Sequence, residues 1–229
     1  MSPYEEYDEY EKYKEEIDWW DYILLPENRE SWMKDAIDPN KRSIFFPPTL
    51  YDSINKLNLV GKAKVLDVGS GPLSPLAWGV DQNIIEVNAI DPLANIYKQM
   101  LMKLDIKYPI EPIQGRGETI NEIFEKESFD VVYSRNALDH SDSPSLSLKN
   151  MVTLLKKGGI LYLEGFVNEG SANKWEGLHQ WNFSMQDGDL MCSAKTGEII
   201  NMTKELPVTS FFDYGPDNNR WFGMAFKKD

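Results

Sequence analysis

The segment that decides the fold is AKVLDVGSGPLSPLAWG, residues 63–79. A short apolar run at Val65 and Leu66 ends in an acid, Asp67, and a glycine turn at Gly69–Gly71 follows it. The next residues can form a helix. A buried strand that leads into a glycine turn and a helix is the α/β arrangement that holds nucleotide-like ligands. The carboxylate at the end of the strand favours a ligand with positive charge near the turn.

Strand-like and helix-like segments alternate after this first strand. Apolar runs predict five strands, at 64–68, 86–90, 109–113, 129–134 and 160–166. Helical spacing predicts intervening helices at 93–104, at 119–124, and from Ser143–Pro144 to a cationic, glycine-rich end at Lys156–Gly159. This order predicts a parallel sheet with helices on both faces.

The alternation stops after the fifth strand. Residues 167–204 contain no clear crossover helix, but the sequence around Lys195–Gly197 is typical of a hairpin. Two last strands are predicted at 206–212 and 220–227, joined by a turn at Gly215–Asn218. A chain that ends in a hairpin after five parallel strands predicts one antiparallel strand at the edge of the sheet.

These patterns predict an α/β fold, a three-layer sandwich around a mostly parallel seven-stranded sheet with one antiparallel edge strand. We expect a helical N-terminal cap or lid at 1–59 and the main domain at 60–229. Residues 167–204 are expected to form an insert on the substrate side, before the last two strands.

Acidic residues dominate the charge of the chain. Its 229 residues contain 37 Asp and Glu against 24 Lys and Arg, a formal net charge of −13. Nucleic-acid binding relies on Lys and Arg to neutralise phosphates, so a nucleic-acid partner is not expected. No apolar run reaches about 18 residues and the acidic N-terminus does not resemble a signal peptide, so no membrane span is expected. A single cysteine, Cys192, indicates a reducing cytoplasm, and the two histidines predict no metal site.

The N-terminus combines an acidic cluster with an aromatic stripe. Residues 1–21 hold nine acids and two lysines, which is typical of a solvated, partly frayed helix. Large side chains also recur there at helical spacing, at Tyr4, Tyr7, Tyr10, Tyr13, Ile17 and Trp20. Such a stripe suits a lid over a site, with Tyr13 and Trp20 as substrate-side candidates. Both interpretations stay open from the sequence.

Polar and small residues follow each predicted parallel strand where it ends. Ligands bind beyond the carboxyl ends of the strands in open parallel sheets, so these residues are candidate cofactor contacts. Asp91 follows the second strand, 24 positions after Asp67, and its carboxylate suits both hydroxyls of a ribose. The candidates are Asp67, Gly69, Ser70, Gly71, Asp91, Pro92, Gly117, Glu118, Ser134, Arg135 and Asn136. Their conjunction predicts an adenosine-containing ligand.

Five segments resemble the motifs of the class I S-adenosylmethionine-dependent methyltransferases. They are VLDVGSGPL at 65–73, NAIDPL at 88–93, GRGETI at 115–120, FDVVYSRNALDHSDSP at 129–144 and LLKKGGILYLEG at 154–165. The resemblance covers about residues 60–166 and the terminal hairpin. The chain departs from the pattern at Pro72–Leu73, where a third glycine is common, and this affects only the local path of the turn.

The resemblance implies S-adenosyl-L-methionine as the cofactor. It implies that Asp67, Gly69 and Gly71 hold the methionine end, that Asp91 binds the ribose, and that Glu118 with its neighbours lies beside the adenine. The reaction it implies is an in-line displacement at the methyl group. Because a sulfonium is already a strong electrophile, the protein needs mainly to align donor and acceptor and to exclude water.

The acceptor side rests on residues that the motifs do not fix. His140 and His179 are candidate general bases, and each also suits a structural role, under a helix for His140 and in a loop for His179. Trp175 and Trp181 suit a sugar or aromatic acceptor, or the core of the insert itself. We expect a small-molecule or glycan acceptor that is methylated at oxygen.

Other acceptors and functions fit less well. The turn at Ser134–Ala137 lacks the Asn/Asp-Pro-Pro-aromatic sequence that resembling enzymes use on planar amino nitrogens, and Cys192 follows Met191 rather than a proline. A nicotinamide-dependent oxidoreductase is disfavoured by Asp67 and by the antiparallel end. A catalytically inactive methyltransferase-like scaffold is the remaining alternative, with the acidic, aromatic N-terminus as its docking surface.

Overall fold

The computed structural model describes Tyr4, Tyr7 and residues 10–204, 206–215 and 220–229. Its central sheet has seven strands: β1 (Ala63–Val68), β2 (Ile85–Asp91), β3 (Ile113–Gln114), β4 (Phe129–Arg135), β5 (Leu155–Phe166), β9 (Val208–Tyr214) and β10 (Trp221–Lys228). They are ordered β3-β2-β1-β4-β5-β10-β9. Strands β1 to β5 are parallel, and β10 runs antiparallel between β5 and β9. The predicted α/β fold is confirmed.

Helices cover both faces of this sheet and precede it. They are α1 (Tyr10–Ile23), α2 (Ser31–Ile37), α3 (Pro48–Lys56), α4 (Ala77–Asp81), α5 (Ala94–Lys103), α6 (Pro144–Leu154) and α7 (Glu169–Ala172). Short 3-10 turns lie at Arg42–Phe45, Gly117–Glu122 and Leu138–His140. Among the described helices, none combines the length and the apolar character needed to cross a bilayer.

The alternation of side chains in β1 explains how the sheet joins two cores. Val65 packs with α3 and α4 residues such as Leu50 and Ala77 on one face. Leu66 and Val68 point to the other face and pack with α6 residues such as Leu148. All of these side chains are buried. Burial on both faces holds the carboxyl end of β1 rigidly, and with it the glycine turn that follows.

Three of the predicted elements differ from the structure. The helix expected to end at Lys156–Gly159 ends at Leu154, because these four residues already belong to β5, where Lys156 pairs with Asp130 at 2.7 Å. The strand expected at 109–113 is reduced to Ile113–Gln114, since Pro109 and Pro112 cannot donate to a strand ladder. The helix expected at 119–124 is the 3-10 turn Gly117–Glu122.

The insert forms a separate antiparallel sheet, which consists of β6 (Asn182–Gln186), β7 (Asp189–Ser193) and β8 (Ile199–Asn201). The predicted hairpin around Lys195–Gly197 is confirmed and joins β7 to β8. Phe183, Leu190 and Cys192 are buried in the same cluster as the α6 side of the main sheet. The turn predicted at Gly215–Asn218 lies outside the described residues after Gly215.

The N-terminal helix packs on the main domain. In α1, Tyr10, Tyr13 and Ile17 are buried in one cluster with Ile96 and Met100 of α5. In α1 the aromatic stripe therefore faces the protein, Glu11 and Asp18 are exposed, and Glu15 and Glu16 line the cavity described below. The interpretation of this segment as a frayed, solvated helix is wrong for the described residues of α1.

Candidate active site

A cavity of about 1120 Å³ lies at the carboxyl ends of β1, β2 and β4. Its walls come from the turns after these strands, from α1 and from the insert. Every candidate cofactor residue predicted from the sequence lines it: Asp67, Gly69, Ser70, Gly71, Asp91, Pro92, Gly117, Glu118, Ser134, Arg135 and Asn136. His140, His179, Tyr13 and Trp20 line it as well.

The turn after β1 needs glycine for two reasons. Gly69 has a left-handed φ of 73°, and a Cβ added there would lie 2.4 Å from the Cβ of Ala137. Gly71 has a φ of 60°, and the ring of Trp20 lies 3.5 Å from the position of an added Cβ. The Gly69 and Ser70 N–H groups both donate to the Ile90 carbonyl. The turn is thus packed between the turn after β4 and helix α1.

Asp67 lines this cavity and has one unpaired carboxylate oxygen. The side chain is only 1% exposed, and its Oδ2 accepts a hydrogen bond from Ser74 Oγ at 2.5 Å. Its Oδ1 is buried and has no hydrogen-bond partner among the described residues. Burial raises the pKa of this carboxyl to about 7, although the Ser74 hydrogen bond opposes the shift. A buried, unpaired carboxylate oxygen requires a partner, and a donor or cation in a bound ligand would supply one.

Asp91 is held by two backbone donors. Its Oδ2 accepts from the Gly71 N–H at 3.0 Å, and its Oδ1 accepts from the Leu93 N–H at 2.8 Å. Burial raises its pKa to about 7 against these two hydrogen bonds, and the nearby Glu16 carboxylate of α1 adds to the rise. The carboxylate plane is therefore fixed, and each oxygen keeps a lone pair for a further donor.

The segment after β3 is built around the start of α6. Glu118 Oε1 accepts the N–H of Ser143 at 3.0 Å, directly before that helix. A Cβ on Gly117 would lie 2.6 Å from Ser147 Oγ, so only glycine allows this approach. Asn150 Nδ2 donates to the carbonyls of both Gly117 and Glu118. Ser147 Oγ is buried without a partner in the described part of the chain and lines the cavity.

The polar residues after β4 mainly hold the backbone in place. Ser134 Oγ donates to the Val68 carbonyl at 2.8 Å, and Asn136 Oδ1 accepts the Phe166 N–H at 3.1 Å. Arg135 forms an ion pair with the buried Glu164 at 3.4 Å and lies over the Trp221 ring at 4.8 Å from its centroid. Trp221 was not among the predicted site residues, because nothing local in the last strand distinguishes it from a core residue.

Two histidines that line the cavity share a buried aspartate behind them, and the sequence could not show this grouping. His179 Nδ1 lies 2.7 Å from Asp139 Oδ2, and His140 Nε2 lies 3.4 Å from the same oxygen. The two ring nitrogens are 3.2 Å apart. The hydrogen bond with Asp139 raises the pKa of His179, although partial burial opposes this. Asp139 was missed in the sequence analysis, and its one local signal is its place beside His140.

The sequence analysis expected no metal site, and the structure brings together three residues of ligating type. Asp139, His140 and His179 each offer one ligand atom, and these atoms all lie within 4.8 Å of one another. The sequence could not show this grouping because His179 belongs to the insert, 39 residues beyond His140. The insert is held against the turn after β4 by the Gln180 N–H, which donates to the Asp139 carbonyl at 3.1 Å.

Helix α1 closes one side of the cavity. Lys12 and Arg116 both bind the carboxylate of Asp142, at 2.8 and 3.1 Å. Trp20 covers the glycine turn, and its ring lies edge-on to that of Tyr97 at 6.0 Å. Tyr13 lies beneath the Arg116 guanidinium at 5.5 Å. The helix therefore contacts the cofactor side of the cavity and the segment that precedes α6.

Two of the candidate substrate residues lie elsewhere. Trp175 packs over Gly170, where an added Cβ would be 2.7 Å from its ring. Trp181 packs against the core cluster that the insert shares with the α6 side of the main sheet, and its Nε1 donates to the Ser141 carbonyl at 2.8 Å. Neither ring is among the cavity-lining residues of the described chain. Their positions agree with the alternative that the tryptophans form the core of the insert.

Comparison with known proteins shows what the chain is similar to. Residues 66–163 match the family model described as "Methyltransferase domain". The ubiquinone biosynthesis O-methyltransferase of Bradyrhizobium diazoefficiens is 25% identical over 188 residues, which covers 74% of this chain and 69% of that protein.

Solved structures agree on the fold. The N-methyltransferase NodS from Bradyrhizobium japonicum superposes with a TM-score of 0.52 at 14% identity, over 84% of this chain and 96% of that one. A SAM-dependent methyltransferase from Methanosarcina mazei gives a TM-score of 0.51 at 13% identity, over 80% and 97% of the two chains. With its glycine turn and its two acids, the chain is similar to S-adenosyl-L-methionine-dependent methyltransferases. The residues that match the methyltransferase-domain model run from β1 to β5.

Proposed function

We propose that this chain transfers the methyl group of S-adenosyl-L-methionine to a hydroxyl oxygen of a small molecule or glycan. The observation that supports oxygen as the acceptor atom is the Asp139–His179 pair at 2.7 Å, whose histidine lines the same cavity as Asp67 and Asp91. A hydroxyl must lose its proton during transfer, whereas a neutral amine need not do so beforehand. The similarity to an O-methyltransferase points in the same direction.

The cofactor end of the cavity suits the proposed ligand. S-adenosyl-L-methionine supplies an electrophilic methyl group on a positively charged sulfur. The unpaired Oδ1 of Asp67 would accept the donors of its methionine part, and Gly69 and Gly71 leave room for the ligand against the backbone. The fixed oxygens of Asp91 would accept the ribose hydroxyls. Glu118 and Ser147 would lie beside the adenine.

The acceptor end would orient and deprotonate the hydroxyl. Asp139 fixes the ring of His179 and favours a proton on it, so the imidazole can take the acceptor proton as the methyl group moves. His140 contacts both groups and would share the proton or position the acceptor. Helix α1, through Tyr13 and Trp20, would exclude water from the reacting atoms.

The first experiment tests the cofactor. Isothermal titration with S-adenosylhomocysteine is expected to show one site per chain, and Asp91→Ala is expected to weaken it while Glu122→Ala leaves it unchanged. Glu122 is exposed and follows Glu118 in the same 3-10 turn, so it is a matched acidic control. A folded wild-type protein that does not bind S-adenosylhomocysteine would overturn the proposal.

The second experiment tests the acceptor atom. The protein is incubated with methyl-labelled S-adenosylmethionine and a panel of phenols, catechols, sugars, carboxylic acids and amines. In alkali, methyl esters release the label as methanol, whereas ethers and N-methyl amines keep it. The N-methyl amines are then separated from neutral ethers by extraction into acid. We expect label in ethers, and a fall in kcat of about 10²–10⁴-fold for His179→Gln, the usual range for loss of a general base. Transfer to amines alone, or full activity of His179→Gln, contradicts oxygen methylation through this pair.

A further inference from the structure

We infer that Asp139, His140 and His179 form a binding site for one divalent transition-metal ion. Their three ligand atoms are Asp139 Oδ2, His140 Nε2 and His179 Nδ1, with separations of 2.7, 3.2 and 3.4 Å. Ligand atoms that share one ion at about 2.0–2.1 Å lie roughly 3 Å apart. The observed triangle therefore already has the size of one face of a coordination polyhedron.

Hydrogen bonding alone satisfies these atoms less well than a cation does. If His179 Nδ1 carries a proton and donates it to Asp139, then a proton on His140 Nε2 faces the same N–H group at 3.2 Å. If His140 Nε2 carries none, its lone pair faces the Asp139 oxygen at 3.4 Å. A single cation accepts a lone pair from all three atoms at once and removes both conflicts.

The surroundings hold the ligands and leave one side open. Asp139 is buried, and the backbone bond from Gln180 fixes the turn that carries it relative to His179. The side chains of His140 and His179 are 20% and 28% exposed, and both line the cavity. Glu169 Oε2, 3.7 Å from His179 Nδ1, supplies a further carboxylate at the rim. An ion held here keeps a coordination position free toward the cavity.

The ligand set selects the kind of metal. Two imidazole nitrogens with one carboxylate oxygen suit ions of intermediate softness such as Zn²⁺, Fe²⁺ and Co²⁺, whereas Mg²⁺ and Ca²⁺ prefer oxygen ligands. Three protein ligands plus one open position is also the arrangement of catalytic rather than structural zinc sites. We therefore expect Zn²⁺ and Co²⁺ to bind well and Mg²⁺ to bind weakly.

The role of the ion in methyl transfer deepens the proposed function and rests on it. Binding of the ion is independent of the proposed function. With His179 engaged as a ligand, the ion replaces the histidine base of the proposed function. An acceptor hydroxyl at the open position would release its proton to solvent water more readily than a free hydroxyl. Its oxygen then forms the new bond to the methyl carbon as the carbon–sulfur bond breaks. The bonding electron pair stays on sulfur, which turns from a sulfonium into a neutral thioether. No oxidant or reductant takes part.

The test is a metal titration of the full chain, without histidines from an affinity tag, after treatment with a chelator. The chain has two histidines in all, so a metal ion bound through imidazole nitrogen must lie in this cluster. Co²⁺ is added and followed by its visible d–d absorption, and Zn²⁺ binding is measured by calorimetry and by the shift in Tm. We expect one equivalent of either metal, a raised Tm, and no comparable effect of Mg²⁺.

Substitutions assign the ligands. Asp139→Asn, His140→Gln and His179→Gln are each expected to weaken Zn²⁺ at least about 10–100-fold, the loss that outer-shell partners alone cause. Asp142→Asn, three positions from Asp139 and 59% exposed, is the matched control and should keep wild-type metal affinity. Variants are compared only when circular dichroism shows them folded. If one ligand variant unfolds, the metal affinities of the other two variants and the Zn²⁺-dependent Tm of the wild type still test the site.

Two results would overturn the site: wild-type protein that binds neither Co²⁺ nor Zn²⁺, or ligand variants that bind as tightly as Asp142→Asn. S-adenosylhomocysteine is titrated into the same preparations, which separates this inference from the proposed function. Metal binding without S-adenosylhomocysteine binding supports the metal site and removes the methyl-transfer role. The reverse result leaves the methyltransferase proposal with a metal-free histidine base and overturns the metal site.

Discussion

The Asp91 carboxylate accepts the backbone N–H of Gly71 at 3.0 Å and so joins the end of β2 to the glycine turn after β1. This bond fixes two sides of the proposed cofactor site relative to each other. It also means that a ligand hydroxyl must share Asp91 with a backbone donor. Burial raises the pKa of Asp91 to about 7, so this carboxyl changes its charge near neutral pH. Its hydrogen bonds to the glycine turn and to a ligand should therefore change in strength with pH.

The affinity for S-adenosylhomocysteine is expected to depend on pH. Ligand donors interact best with the ionised carboxylates, and Asp67 and Asp91 both have a pKa of about 7 in the free protein. We expect affinity to fall between pH 8 and pH 6, approaching about tenfold per pH unit for each carboxyl below its pKa. Calorimetry across this range measures the fall. Asp91→Asn should weaken binding and flatten the profile, and an equally steep profile in that variant contradicts the assignment.

The contribution of Asp67 and Asp91 to the stability of the ligand-free protein should fall as the pH rises, whereas the ligand affinity should rise. Their folded-state pKa of about 7 lies above the ordinary value of 3.8, so the folded protein holds these protons more tightly than the unfolded chain. The stabilisation is complete below about pH 4 and is lost as the pH rises through about 7. Urea titrations should therefore show a smaller loss between pH 5 and 8 for Asp91→Asn than for the wild type. An equal loss in both proteins argues against a raised pKa at Asp91.

Gly69→Ala is expected to damage the site beyond simple backbone strain. The new methyl group would meet Ala137, whereas Gly61→Ala, at a φ of 95°, meets nothing within 4 Å. Both variants should lose about 1–3 kcal/mol of unfolding free energy from the left-handed backbone. Only Gly69→Ala should also reduce S-adenosylhomocysteine affinity, by about tenfold or more, or about 1.4 kcal/mol. Equal effects of the two variants on binding would show that the close approach to Ala137 is unimportant.

Trp20→Ala tests whether α1 acts as a lid. The Trp20 ring covers the glycine turn and lines the cavity, whereas Tyr22, two residues later, is 62% exposed. We expect Trp20→Ala to weaken S-adenosylhomocysteine about tenfold, which corresponds to about 1.4 kcal/mol. Tyr22→Ala is the control and should bind as the wild type does. Unchanged affinity in Trp20→Ala would instead favour α1 as a docking surface.

Glu118→Ala is expected to destabilise the start of α6. The carboxylate accepts the Ser143 N–H, so its loss should cost about 0.5–2 kcal/mol in urea unfolding, as for other lost helix caps. Glu118→Gln keeps an acceptor oxygen and should recover most of this. Glu122→Ala, exposed in the same turn, should change stability little. A loss in Glu118→Gln as large as in Glu118→Ala would mean that charge, not the hydrogen bond, matters.

Local sequence patterns predicted most of the main sheet. Strand β1 begins one residue before its predicted start, and β4 ends one residue beyond its predicted end. Patterns of this kind succeed because a strand buried on both faces leaves a short apolar run with a clear end. They failed at Lys156–Gly159, where lysine and glycine suit a helix end but Gly158, at a φ of 75°, lies inside β5. Leu155 pairs with Phe129 of β4 and Ile160 pairs with Val131, so the four residues between them bulge out of register, and no local pattern predicts this.

The proposed cofactor side of the cavity is set by local sequence, whereas the proposed acceptor side is set by packing between distant segments. Glycines at positive φ and an acid that ends a strand are local requirements, and the sequence shows them directly at Gly69, Gly71, Asp67 and Asp91. The partners of Asp139 and the place of Trp181 are set by how the insert packs against the turn after β4. For this reason the two histidines were found singly, and their shared carboxylate was not.

From its residues alone, this chain specified the α/β sheet, the glycine turn and the acids at the strand ends, because each follows from backbone conformation and burial within a few neighbouring positions. The tertiary structure alone decided that His179 meets Asp139 across 40 residues and that Lys12 of α1 reaches Asp142 across 130. Contacts between such distant residues depend on the packing of whole elements, to which many weak interactions contribute together, and no short segment encodes them.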